Sequence, residues 1–488
     1  MLSIEEIDRL IKIDKNSKEK RKARVGQRYY DAEHDILSYR MFYYNSENEL
    51  IEDTTRSNIK ISHAFFTELV DQEVQFLLSK FEIKAKKEAD KILDEELKDR
   101  FDDNFKVELS DNAEGAVIKG WNYMYGYLAE DNKTRYKYAD SLGVIEVRED
   151  EAKDQTEHII YYYIDRLDEK LNPIMKIEVW DADYRYFYIK VGTTGKIKLD
   201  ENEKINPRPH KVYVKDESLV YKPSEPGYGK IPFFRLDNNK KRTSGLKPIK
   251  KLIDDYDLMN CGLSNNLQDV ADALYVVKGF KGNDLDVLQQ NIKTKKMIGV
   301  DANGGVDIET IDIPYEARKT KMELDEKNIY KFGMGFNASQ VGDGNITNIV
   351  IKSRYTLLEL KCNKLGKYLK SFLAPMIQIA LDEINVQYDT NYTLKDVDIC
   401  LDREIPTNEE DNVNIEKTKA EIKQIEVNII LDAASKLDDE TIIKSLCDVL
   451  DIDYEEIKDK IEINKIDLEQ ASKALEENQI VADGAANE

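Results

Sequence analysis

The chain has 488 residues, of which 41% are hydrophobic and 35% charged, and its formal net charge is −23. That length suits roughly two to four domains with real cores and a large solvated or partner-facing surface. The acidity excludes tight nonspecific binding to DNA, because phosphates are repelled, but it allows DNA to be touched without being gripped. Cys261, Cys362, Cys400 and Cys447 lie far apart with no CxxC pair. Reduced thiols in a cytoplasmic setting are therefore expected, with neither a disulfide framework nor a zinc site. The opening stretch MLSIEEIDRLIKIDKNSKEKRKAR has no long apolar core and no small-residue cleavage site, so it does not read as a signal peptide. No run of about 18 apolar residues occurs, so no membrane-spanning helix is expected.

In chain order, residues 1–60 are polar and rich in Tyr and Lys, with helical pieces. HAFFTELVDQEVQFLLSK (63–80) places Phe66, Leu69, Val70, Val74, Leu77 and Leu78 at helical spacing. NAEGAVIKGWNYMYGYLAED (112–131) reads as a second helix containing Gly115, Gly120 and Gly126. From Leu142 to Val214 the runs GVIEVRE, HIIYYYIDRL, PIMKIEVWD and YRYFYIKV predict an antiparallel meander, closed by a Pro- and Gly-rich loop. A long amphipathic helix is predicted from about Pro248 to Ala273. Its polar face carries Asp254, Asp255, Asp257, Asp269 and Asp272. YVVKGF (275–280), MIGV and VDIETI read as strands around a short helix at 284–296, an α/β unit too small to be stable alone. Residues 314–332 form a highly charged helix with Pro314 at its start, set to face water or a neighbouring subunit. The stretch 348–385 has the best apolar stripe, from Val350 to Ile384. It would span roughly 50 Å, and Pro375 is expected to kink it. A strand, VDICLDREIP, follows. From Asn408 the remainder is expected to be helical and acidic, with amphipathic helices near 425–437, 440–450 and 454–461 and a disordered tail.

Chemical motifs are few. GYGK (227–230) lacks phosphate-loop spacing, DANGGVD (301–307) lacks the glutamate of a calcium loop, and the four histidines are scattered without HExxH. In IDDYD (253–257), Asp254 and Asp257 share a helix face that could suit a divalent ion, although a solvated face or inter-subunit ion pairs explain it as well. Lys278, Lys281, Lys293, Lys295 and Lys296 cluster in the small α/β unit. They are either plain surface or a contact for an acidic partner or DNA phosphate. Between two charged helices lies KFGMGFNASQVGDGNITN (331–348), where Asp343 is the only acidic residue.

The order of these elements resembles the portal (head-to-tail connector) proteins of tailed bacteriophages, especially the siphophage branch with acidic subunits. The resemblance is carried by IPFFRLDNN (231–239), LIDDYDLMNCGLSNNLQDVADALYVVKGF (252–280), IDIPYEARKTKMELDEKNIYKFGMGFN (311–337) and the long helix that follows. It covers residues 60–460 and is most specific over 231–385. It implies an α+β, mostly helical portal fold. Residues 1–245 and 349–405 would be the wing, 246–274 and 313–332 the stem helices, 275–312 a small α/β clip, 333–348 a tunnel loop, and 406–488 the crown and tail.

The resemblance further implies a homododecameric ring around a channel for double-stranded DNA, at the portal vertex of the virion and in the host cytoplasm during assembly. Partners would be the terminase large subunit, a head-completion or adaptor protein, and capsid and scaffold proteins. Catalytic activity, cofactor, metal and membrane are not implied. The lysine cluster would form the clip's docking surface. In the tunnel loop, Gly333, Gly335, Gly342 and Gly344 would act as hinges while Asn337, Gln340, Asp343 and Asn345 face the duplex.

DNA carries one charge per about 1.7 Å of axis, so a lysine-lined collar would stall it. Gly, Asn and Ser offer weak, exchangeable hydrogen bonds instead. An acidic stem face would likewise repel phosphate. Two other readings stay open: a different virion structural protein, such as an adaptor or minor head protein, and a metal-dependent enzyme built on IDDYD.

Overall fold

The computed structural model describes residues 2–45, 47–54, 56–87, 90–148, 156–192, 194–215, 218–220, 226–269, 274–278, 305–309, 314–337, 348–403, 405, 409–433, 436–450, 452 and 454. The fold is α+β, as expected. Contact clustering divides it into one unit of residues 1–343 and 354–404 and another of residues 344–353 and 405–488.

In the first unit, helix α1 (Ile4–Lys15) begins with a capping box in which Ser3 and Glu6 satisfy each other's amides. Helix α2 (Lys18–Tyr30) follows, capped by Ser17. Strands β1 (Phe42–Tyr44) and β2 (Leu50–Glu52) make a separate hairpin. Helix α3 (Phe65–Leu78) confirms the spacing read in 63–80 and leads into β3 (Lys80–Ala85), then α4 (Lys91–Arg100) and α5 (Asp103–Lys119).

The expected helix over 112–131 is corrected. Helix α5 stops at Lys119, and β4 (Trp121–Leu128) begins at once, pairing with β5 (Thr134–Ala139). The cause is Gly120, at φ 102°, a left-handed C-cap that a side chain resists. A Cβ there would also lie 2.4 Å from the Arg242 carbonyl oxygen.

The meander is present: β6 (Val144–Val147), β7 (His158–Leu167), β8 (Pro173–Trp180), β9 (Tyr184–Val191) and β10 (Lys198–Leu199) pair in sequence, and β11 (Arg208–Pro209) also pairs with β9. Ile7 and Ile11 of α1 pack on Ile160, Ile177 and Tyr188 of this sheet. After the small hairpin β12 (Tyr213–Lys215) and β13 (Ser218–Val220), strand β14 (Phe233–Asp237) adds to β4.

Helix α6 (Lys250–Asp269) lies within the predicted 248–273. Strands β15 (Leu274–Lys278) and β16 (Gly305–Glu309) form an antiparallel hairpin, and α7 (Tyr315–Gly333) follows. The expected helix at 284–296 and strand at 297–300 lie outside the described residues. Helix α8 (Asn348–Tyr388) runs 41 residues and continues on both sides of Pro375. Of its expected stripe, Leu358 through Ile384 is buried, whereas Val350 and Leu357 are exposed. The stripe is closed by buried polar groups: Arg100 on α4 reaches Glu96 at 2.7 Å and Glu383 of α8 at 3.6 Å. Strand β17 (Val397–Asp402) pairs with β3.

The second unit holds α9 (Glu409–Ala433) and α10 (Asp439–Leu450). Helix α9 begins at Glu409, in the stretch expected to be helical from Asn408. The expected helix at 454–461 and the disordered tail lie outside the described residues, apart from Tyr454.

Candidate functional site

Helices α6 and α7 pack side by side. Asp255 pairs with Lys321, Gly262 faces Arg318, and the Asn266 amide, turned with its oxygen toward Arg318, accepts from both guanidinium nitrogens at 2.9 and 3.2 Å. Partner numbers fall as position rises, so the two helices run antiparallel. The β15–β16 hairpin belongs to the excursion between them.

Of the IDDYD carboxylates, Asp254 and Asp257 both turn toward the N-terminal segment around Tyr29 and His34, as their spacing predicts, while Asp255 turns toward α7. Asp254 accepts from Tyr29 Oη and, at 2.8 Å, from Lys250 Nζ, which also reaches Asp35 at 2.7 Å. Burial alone would push the Lys250 ammonium down, but hydrogen bonds to Asp254, Asp35 and Tyr29 outweigh it and hold it above its ordinary value. Burial likewise opposes the charge on Asp35, yet Lys250 and Arg28 bring its carboxyl down to about 2. Asp255 and Asp325 share Lys321. The expectation of an acidic, phosphate-repelling face is corrected at Asp254, Asp255 and Asp257. Asp254 and Asp255 pair with lysines of the same chain, and Asp257 is buried. Among the described residues no group of three or more His, Cys, Asp or Glu side chains is placed to hold a metal.

Asp257 was the residue least well read. It is 0% exposed, and its carboxylate lies between two histidines that are 223 and 194 positions away. His34 Nδ1 is 2.6 Å from Oδ2, His63 Nδ1 is 2.7 Å from Oδ1, and the His63 backbone N–H donates to Oδ1 at 3.1 Å. Burial raises the carboxyl, but the bonds from His34 and His63 win and leave it below the usual carboxylate range. This node ties α6 to the turn after α2 and to the segment entering α3. Sequence spacing carried no trace of it.

The base of the glycine-rich stretch is anchored. Met334 caps α7 in the left-handed region, at φ 55°. Gln72 of α3 clamps Phe336 twice, accepting its N–H and donating to its carbonyl, both at 2.9 Å. A Cβ on Gly333 or Gly335 would meet Leu69 Cδ atoms at 2.7 and 2.0 Å, so these glycines permit a close approach of backbone to α3. Asn337 is buried and donates to Glu326 at 2.9 Å. Gly333, Gly335 and Asn337 are therefore placed together at a fixed base, packed against this chain. Gln340, Gly342, Asp343, Gly344 and Asn345 lie outside the described residues. Of the lysine cluster, Lys278 ends β15, while Lys281, Lys293, Lys295 and Lys296 lie outside the described residues.

Residues 10–477 match the family described as phage portal protein, SPP1 Gp6-like. The chain belongs to that family. It is 26% identical over 351 residues to the portal protein of Bacillus phage SPP1, covering 71% of this chain and 67% of that one. It is also 26% identical over 370 residues to the portal protein of Clostridium phage phiCD119, covering 71% of this chain and 78% of that one. Phage portal proteins are structural components of the virion that form an oligomeric ring at a capsid vertex, and they are not enzymes. Family membership decides against the adaptor, the minor head protein and the metal-dependent enzyme. No described helix is long and apolar enough to cross a membrane.

Proposed function

We propose that this chain forms a homododecameric ring whose centre passes double-stranded DNA during packaging and ejection. It assembles in the host cytoplasm and takes its place at the portal vertex with capsid and scaffold proteins around it. In this reading α6 and α7 are the stem and the segment 275–312 is the clip, where Lys278, Lys281, Lys293, Lys295 and Lys296 dock the terminase large subunit and later a head-completion protein. Residues 1–245 and 349–405 are the wing, and 406–488 are the crown and tail.

The observation that carries the proposal is the clamp at the end of α7. Gln72 fixes Phe336, and from that fixed point the sequence continues as ASQVGDGNIT, with Asp343 its only charge. A segment with so little charge can meet a polyanion without holding it, since neutralised phosphates are what give DNA complexes their strength. Gln340, Asp343 and Asn345 are the side chains that face the duplex, with Gly342 and Gly344 as hinges.

Shortening 338–345 while keeping the clamp tests this. Rings should still assemble, and packaged DNA should be reduced in amount or lost after packaging. Packaged DNA of unchanged length and retention would contradict the proposal.

A further inference from the structure

A cavity of about 740 Å³ opens in the first unit between α2, the β4 and β6 strands and residues 241–251. Its floor is apolar, built by Val25, Trp121, Tyr123, Ile145 and Leu246. Its rim carries Lys22, Lys241, Lys247 and Lys251, all exposed, and none makes an ion pair among the described residues. Of the three carboxylates that line it, Asp14 is held by Lys20 at 3.4 Å and Glu146 by Arg235 and Arg148, which leaves Glu19. A chain of net charge −23 thus keeps one cationic groove over an apolar floor.

The β1–β2 hairpin has the opposite character. Its strands pair only with each other, through Phe42↔Glu52, Tyr43↔Ile51 and Tyr44↔Leu50. All six of these residues are exposed, Tyr44 at 67%. An isolated two-stranded hairpin is marginal in water, so one with this much exposed apolar surface needs a cover. Between Phe42 and Glu52 it has no Lys or Arg and carries Glu47, Glu49 and Glu52. Exposed Arg40 pairs with Glu52 at 3.2 Å, and among the described residues Glu49 meets only Asn45.

We propose that the hairpin of one copy seats in this groove on the next copy. Its aromatic and aliphatic side chains would fill the apolar floor, and Glu47 and Glu49 would meet the rim lysines. The inference rests on the ring reading above. It deepens that reading, because groove and hairpin are different surfaces. Such a contact is head-to-tail, and it closes into a ring when the rotation closes. A DNA backbone could use the lysines but not the floor, whereas the hairpin uses both.

The test is a charge exchange in the full chain, followed by mass photometry over a concentration series. Lys241→Glu with Lys247→Glu, and separately Glu47→Lys with Glu49→Lys, should each raise the concentration at which rings dissociate at least tenfold, with circular dichroism unchanged. Combining all four substitutions should restore wild-type assembly. Rings as stable as wild type in both double variants, or no recovery in the combined chain, would overturn the inference while leaving the ring intact. A wild-type chain that never forms rings would overturn both. Recovery also rules out nucleic acid as the occupant, because a duplex in the groove makes no contact with Glu47 or Glu49.

Discussion

Asp257→Asn changes one atom type at the buried node that holds α6 to the N-terminal segments. The wild-type carboxylate takes contacts at 2.6, 2.7 and 3.1 Å from His34, His63 and the His63 amide. The asparagine oxygen can keep the amide bond, but its NH₂ group must then replace the oxygen that faces His34. Bonds to a charged acceptor contribute about 1.5–3 kcal/mol each, and breaking a buried pair costs about 3–5 kcal/mol, so a loss of about 3–5 kcal/mol is expected.

Trp121 and Trp180 are the chain's two tryptophans, and both are buried in the same unit as Asp257. Their fluorescence in urea reports the unfolding. With a slope near 3 kcal/mol per M, the upper end of the usual range, the midpoint should fall by about 1–2 M.

Acid adds a second readout. The folded carboxyl lies below its ordinary value, so its contribution is present above the unfolded value, near about 3.9, and is lost as pH falls through the folded one. The gap between wild type and variant should therefore narrow below about pH 4. A midpoint shift under about 0.3 M at neutral pH would refute the reasoning.

Gly120→Ala should cost about 2–4 kcal/mol, from the left-handed backbone and the collision with the Arg242 carbonyl. In the same thermal melt, Gly262→Ala, inside α6 and near only the Arg318 side chain, should be neutral or stabilising. Equal melting temperatures for the two variants would contradict the account of where α5 ends. Replacing Lys293, Lys295 and Lys296 with Glu should weaken capture of the terminase large subunit or the head-completion protein in a pull-down. Equal capture would show the cluster to be plain surface.

The meander, α3 and α8 were legible because each buries a stripe or alternating face within the chain, whereas α7 was legible from its charged, proline-started run, since it buries only Ile329 and Tyr330 of its apolar residues. Where the apolar face has no cover in the chain, the reading weakened. Helix α9 exposes Val413, Ile415, Ile422 and Ile429, so its charged first half reads only as helical and acidic, without a defined apolar face. The 112–131 stretch failed for a different reason. Gly120 reads as one of three glycines inside a helix, although a glycine followed by the alternating aromatics of WNYMYGYL marks a C-cap and then a strand.

At the site, the glycine-rich stretch stood out by composition, but its anchoring could not be read, because Leu69 and Gln72 lie more than 260 residues away. Separations of 223 and 194 residues likewise hid the roles of His34 and His63. Asp257 reads as part of the polar face of α6 because it shares a helix face with Asp254, while its partners in space are supplied by the N-terminal segments.

The measurement that tests the central claim most directly is averaged imaging of the purified assembly down its axis, with residues 338–345 located in the density. A closed ring with an open centre, and this segment at the edge of the opening, is the predicted result. Only monomers or compact dimers, a ring without a hole, or the segment at the outer rim would contradict the account.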